Sequence, residues 1–383
     1  MNYFSRLFFE KRSAVPKIGP KLPDRSLWTA LRRRGISRRS FVNFCGAMAA
    51  ALALPASHAP AIAAALGSAK RPRVVWLEFS GCTGCTESML RSENPGFAEI
   101  VLSLISLDYH ETLMAPAGEA AERSLREVVE GERGRYIAVV EGAIPTGEGY
   151  CTIGGRSALD IAREVCGNAA ATIAVGACAT YGGWPRAHPD PTGALGLAEA
   201  VPGIGVVNLP GCPVNGANVA ATLVHYLTFG RLPATDQLGR PLFAYGQLIH
   251  DSCERRAHYD AGEFVEVWGD EAHRKGWCLY KLGCKGPTTF HNCPVVRWNG
   301  GTSWPVGAGH GCIGCSEPQF WDANSPFYDR LPDVPGFGIQ TRAEQVGLGL
   351  VIATGAAFAV HGVAATVAER VAPIQHGDEE HKP

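Results

Sequence analysis

The stretch Arg73-Val74-Val75-Trp76-Leu77-Glu78-Phe79-Ser80-Gly81-Cys82-Thr83-Gly84-Cys85 reads as a short apolar strand that runs into a glycine turn carrying two cysteines. Three more short apolar runs have the same character: Arg135–Val140, Ala171–Val175 and Gly205–Leu209. Buried parallel strands look like this, apolar throughout rather than alternating. Helical patterns follow them at Glu119–Glu130, Ser157–Cys166 and Asn218–Phe229. Strands alternating with helices predict a doubly wound parallel α/β sheet. In such sheets ligands bind beyond the carboxyl ends of the strands. The cysteines stand there. Cys82 and Cys85 follow the first run, Cys178 the third and Cys212 the fourth, all on loops of Gly and Pro. Four thiolates brought to one sheet edge suit a [4Fe–4S] cluster, with Cys₄ zinc as the rival.

Beyond about residue 240 the regular periodicity fades and metal-ligating residues crowd the chain. His250, Cys253, Cys278 and Cys284 offer three thiolates and one imidazole. Cys293, Cys312 and Cys315 offer three thiolates with no obvious fourth. Structural zinc wants four ligands, whereas a three-thiolate set suits a [3Fe–4S] cluster. Trp298, Trp304, Pro305, Phe320 and Trp321 flank that set, and apolar walls keep water from a cluster and help set its potential. Three metal sites in one chain point to electron relay. The 13 cysteines are an odd number grouped in Cys-x-x-Cys pairs, which argues for metal over disulfides. With 35 basic against 36 acidic residues there is no surplus that points to nucleic acid.

The two ends read differently. Ser37-Arg38-Arg39-Ser40-Phe41-Val42-Asn43-Phe44 precedes an Ala-rich apolar run to about Leu66, the form of a twin-arginine export signal with cleavage expected between Ala63 and Ala69. That route carries folded proteins with cofactors in place. Val346 to Val371 is mostly apolar and long enough to span a bilayer, which needs roughly 20 such residues. The organisation expected is a signal region at 1–69, a first domain at 70–235, a smaller loop-rich domain at 236–340, a transmembrane helix at 343–371 and a tail at 372–383.

With these motifs in place the chain resembles the small subunit of the membrane-bound, periplasmic [NiFe]-hydrogenases. The resemblance runs from about Val74 to Gln340 and rests on Cys82-Thr83-Gly84-Cys85, Glu141-Gly142-Ala143-Ile144-Pro145-Thr146, Gly176-Ala177-Cys178-Ala179-Thr180-Tyr181-Gly182, Gly211-Cys212-Pro213 and Gly307-Ala308-Gly309-His310-Gly311-Cys312-Ile313-Gly314-Cys315. It implies a flavodoxin-like first domain and an obligate heterodimer with a large subunit that holds the nickel–iron site, so no catalytic residue lies on this chain. It implies two [4Fe–4S] clusters and one [3Fe–4S] cluster. Cys82, Cys85, Cys178 and Cys212 would hold the proximal one, Cys293, Cys312 and Cys315 the medial one, and His250, Cys253, Cys278 and Cys284 the distal one. Electrons from hydrogen oxidation would pass to a membrane acceptor, a b-type cytochrome and the quinone pool. Higher oligomers are compatible with this. Pro305 would stand near the place of a fourth medial ligand. Glu141 reads equally as an interface or proton-path contact and as a capping carboxylate. Thr83 reads equally as an interface hydroxyl and as a local turn residue. Cys45, Cys151 and Cys166 are left over. Gly84 and Gly183 occupy the positions where oxygen-tolerant members carry extra cysteines, which implies the oxygen-sensitive kind. Two other functions compete: an exported binding module stabilised by zinc or disulfides, and the cluster subunit of another quinone-linked oxidoreductase. The first would be colourless. The second needs only the first domain's cluster.

Overall fold

The computed structural model describes residues 37–68, 71–92, 105–330 and 343–371. The expected tail at 372–383, the end of the second domain beyond 330 and residues 1–36 lie outside the described residues. Five parallel strands form the central sheet: β1 (Arg73–Glu78), β2 (Ser106–His110), β3 (Ile137–Glu141), β4 (Ala171–Val175) and β5 (Val206–Leu209). Their order is β2-β1-β3-β4-β5. This is the flavodoxin-like order, in which the direction of winding reverses between β1 and β3. β3 and β4 are buried along their whole length, which is why they read as unbroken apolar runs.

Helices cover both faces. One face packs Val75, Leu77, Ala138 and Val140 against α4 (Glu119–Gly131) and α5 (Ala158–Gly167), whose inward residues include Leu125, Val128, Ile161 and Val165. The other face packs Val74, Trp76, Ile137 and Val139 under α7 (Gly216–Phe229), whose Val219, Ala220 and Leu223 are buried there. The segment expected as a signal adds to this second face. α1 (Arg38–Ala51) is capped by Ser37, whose hydroxyl accepts from the Ser40 N–H at 3.0 Å. With α2 (Ala59–Ser68) it lays Phe41, Met48, Ala49, Leu52 and Ile62 into the same core.

The strand Ser106–His110 is absent from the sequence reading. It lies at the sheet edge, and its Ser, Asp and His break the apolar run that marks the inner strands. Between residues 236 and 330 the elements shrink to single turns such as Leu242–Tyr245, Cys293–Val296 and Phe320–Ala323. The last helix, α8 (Ala343–Val371), has 29 residues. Among the described residues no helix is long and apolar enough to cross a membrane, so the membrane span expected at 343–371 is not supported there.

Candidate metal centres

The winding reversal between β1 and β3 builds the first donor group. β1 leads into a turn where Thr83 adopts φ +61°, and α3 (Gly84–Leu90) starts at once. Glu141 ends β3 and is buried. Its carboxylate accepts from the Cys85 N–H at 2.9 Å, the Thr86 N–H at 3.1 Å, the Thr86 hydroxyl at 2.6 Å and the Trp76 indole N–H at 3.2 Å. The residue expected as an interface, proton-path or capping group is engaged inside the chain, holding the cysteine turn. Cys178 lies in α6 (Gly176–Tyr181), directly after β4, and Cys212 follows β5. Gly176 adopts φ +84°, and any side chain there would collide with Cys85 Sγ. The four thiols form one electrostatic group. Burial above all, then Glu141, Cys178 and Cys212, raise the Cys85 thiol well above its usual range. Burial and the neighbouring Cys212 and Cys82 push Cys178 up to about 12. Cys82 is exposed at the lip of the group. A Cβ at Gly84 would sit 3.0 Å from Cys82 Sγ, and one at Gly183, itself at φ +55°, would sit 2.6 Å from Cys178 Sγ.

The second domain brings together both remaining sets. His250, Cys253, Cys278 and Cys284 line one small cavity. The His250 ring packs edge-on against Tyr259, with centroids 4.4 Å apart. Burial first, then Arg256, lowers the His250 pKa, which favours the neutral imidazole that metals bind. Cys293, Cys312 and Cys315 line a larger cavity of about 490 Å³, and Pro305, Trp298 and Trp304 line it too. Burial first, then Cys315, raises the Cys293 thiol, and Trp298 works against that rise. Among the described residues no three His, Cys, Asp or Glu side chains close on a point fit for a single ion. The donors stand around cavities instead, and in the second domain every such donor is a thiol or an imidazole, the chemistry of iron–sulfur ligation.

The three groups adjoin in sequence, and Cys212 lines the cavity of Cys293, Cys312 and Cys315. Burial raises the Cys315 thiol to about 11, with a hydrogen bond from the Cys212 backbone opposing the rise and the Cys212 thiol adding to it. The Cys312 N–H donates to Cys284 Sγ at 3.2 Å. The strand-end group therefore adjoins the large cavity through Cys212 and Cys315, and the large cavity adjoins the small one through Cys312 and Cys284. The leftover cysteines join none of these groups: Cys45 and Cys166 are in the cores, and Cys151 packs on the α4–α5 side with Glu111 as its charged neighbour. Two residues escaped the sequence reading. His291 is buried on the large cavity, where burial first and then Arg240 push its pKa down to about 3. Arg240 is buried between Asp236 and Glu317. A lone His or Arg carries no spacing signal, so only the fold reveals them.

A parallel α/β sheet with thiols gathered at its strand ends, followed by a loop-rich domain dense in sulfur and imidazole donors, defines an electron-transfer protein of the iron–sulfur class. Residues 245–328 match the C-terminal family of the NiFe/NiFeSe hydrogenase small subunit, and residues 82–226 match the family of the NADH ubiquinone oxidoreductase 20 Kd subunit. The chain is 47% identical over 343 residues to the quinone-reactive Ni/Fe-hydrogenase small chain of Wolinella succinogenes, covering 87% of this chain and 97% of that one. It is 45% identical over 363 residues to the hydrogenase-1 small chain of Escherichia coli K12, covering 94% and 97%. Its fold is similar to a chain of the H2-activated [NiFeSe]-hydrogenase of Dm. baculatum, with TM-score 0.63, 36% identity, and coverage of 69% of this chain and 100% of that one. The chain belongs to the [NiFe]-hydrogenase small subunits. It is the electron-transfer subunit of a hydrogenase, carries iron–sulfur clusters and pairs with a large subunit that holds the active site.

Proposed function

We propose that the three donor groups hold three clusters in one conducting row. Cys82, Cys85, Cys178 and Cys212 hold a proximal [4Fe–4S] cluster; Cys293, Cys312 and Cys315 hold a medial [3Fe–4S] cluster; His250, Cys253, Cys278 and Cys284 hold a distal [4Fe–4S] cluster. Such clusters supply one-electron carriers. The chain's own residues hold them close together, exclude water and pin the loops, as Glu141 does for Cys85. The observation that carries this reading is that Cys212 lines the same cavity as Cys293, Cys312 and Cys315 while the Cys312 N–H donates to Cys284 Sγ, which joins the groups end to end.

The acceptor in this reading is membrane-bound, a b-type cytochrome that feeds quinone. Support comes from the exposed apolar helix α8 and from the Wolinella succinogenes relative, whose name declares it quinone-reactive. The twin-arginine segment at 37–44 would direct the folded subunit to the periplasmic face. Iron and acid-labile sulfide analysis of the purified heterodimer tests the cluster assignment. The small subunit should contribute about eleven irons, with an oxidised-state spin signal from the [3Fe–4S] centre. Zinc in their place, or an iron-free chain that still transfers electrons, would end the assignment.

A further inference from the structure

In the described part of the second domain three buried nitrogens lack a hydrogen-bond partner: both ring nitrogens of His291 and Trp304 Nε1. Both rings line the cavity that also receives Cys293, Cys312 and Cys315. Buried donors in native proteins are satisfied almost without exception, and an orphan calls for an acceptor. Sulfur is what this cavity offers. His291 is the strongest case, because an imidazole always carries at least one N–H and neither of its nitrogens has a protein partner.

The ring has little freedom to seek another partner. His291 is 2% exposed. Its backbone N–H is tied to the Gln247 carbonyl at 3.2 Å. Its ring meets the Tyr245 ring edge-on, centroids 5.0 Å apart, and Tyr245 is fixed by its hydroxyl donating to the Pro210 carbonyl at 2.8 Å. The next residue, Asn292, pairs with Asn218 of α7 at 3.0 Å, which pins the Cys293 turn to the first domain. The cavity is bounded on that side by Cys212 and Pro213. His291 thus shares a wall with a donor of the strand-end group and with all three donors of the medial group.

We propose that the His291 ring donates a hydrogen bond to a sulfur of the medial centre and raises its reduction potential, making His291 the positioning residue that sets the middle step of the relay. This rests on the assignment of Cys293, Cys312 and Cys315 as ligands of a [3Fe–4S] centre. A donor aimed at sulfur withdraws charge from it and favours the reduced, more negative state, and hydrogen bonds to sulfur are among the levers that set cluster potentials.

Redox titration of the purified heterodimer, followed through the medial centre's spin signal, tests this. His291→Phe keeps a ring and removes the donor. The expected result is a midpoint shifted down by about tenfold in the reduction equilibrium, or about 59 mV for one electron, with the other two centres unmoved. His291→Asn, which restores an N–H, should recover part of the shift. An unmoved midpoint in His291→Phe with full iron content overturns the proposal. A second test needs no variant: wild-type enzyme grown with 15N-histidine should show a weak histidine-nitrogen coupling in the pulsed spin-resonance spectrum of the oxidised medial centre. Its absence would also overturn the proposal. A wild-type enzyme with no medial spin signal would instead overturn the ligand assignment itself.

Discussion

Glu78 and Glu141 end neighbouring strands in register, and both reach Thr86, the residue after Cys85. Two carboxylates on one hydroxyl are unequal partners. Glu141 is buried and takes the one Thr86 hydroxyl proton at 2.6 Å among its four donors, whereas Glu78 lies 3.1 Å from that oxygen and accepts from the Thr112 hydroxyl. Burial first, then the charge on Glu141, raises the Glu78 pKa from its ordinary 4.5 to about 7. Its protonated form is therefore favoured in the folded protein. The resulting stability is complete below pH 4.5 and is lost as pH rises through 7. Glu78→Gln removes that loss. The variant should melt higher than wild type at pH 8, with the gap narrowing toward pH 5. Glu78 is only half-buried, so solvent screening discounts the gain to about 1 kcal/mol, or about 2–4 °C. Equal pH slopes for the two proteins would refute the linkage. At this scale the cysteines and His250 stood out in the sequence because thiols and an imidazole recur at short spacings beside Gly and Pro. His291 did not, because a single histidine next to Cys293 looks like any core residue until its two unpartnered nitrogens are seen.

At the scale of elements, buried strands such as β3 and β4 were legible to within two residues, since burial on both faces demands unbroken apolar sequence. The edge strand Ser106–His110 lacked that demand. The second domain has little periodicity to read because its turns are too short to repeat, and its order comes from donors facing shared cavities. Side chains tie its first residues to its later loops. Arg240 donates from Nε to Asp236 at 2.7 Å and from Nη1 to Glu317 at 3.1 Å and to the Ser316 carbonyl at 3.2 Å. Glu317 in turn accepts from the Phe290 N–H at 2.7 Å. One buried guanidinium thus ties the domain junction to the loops that follow Cys315 and precede Cys293. Removing one partner of a buried pair strands the other and costs about 3–5 kcal/mol. Arg240→Ala should therefore lower the melting temperature sharply, and adding Glu317→Gln should cost much less than the sum of the two single changes. Additive effects would mean that the bridge carries no coupling.

Across the whole molecule the donor groups run from the strand ends into the second domain, and no described side chain of α8 is buried against them. Every described side chain in α8, 351–366, is exposed, including Val351, Ile352, Phe358, Val360 and Val363 at 62–72%. A helix of 29 residues is about 43 Å long at 1.5 Å per residue. Apolar surface exposed on every side of a helix is costly in water and is what a bilayer or neighbouring membrane helices would cover. The sequence adds His361 and four glycines at 347, 349, 355 and 362, small residues of the kind that let membrane helices approach closely. If α8 carries the subunit to its acceptor, a chain ended before residue 343 should leave the membrane fraction. That truncated heterodimer should keep its iron and reduce a soluble dye with hydrogen at the full rate, yet lose quinone reduction by at least tenfold. The full-length heterodimer should need detergent to stay monodisperse. A full-length complex that is monodisperse without detergent, or a truncated one that still reduces quinone in membranes, would show that electrons leave by another face and that α8 packs on a soluble partner.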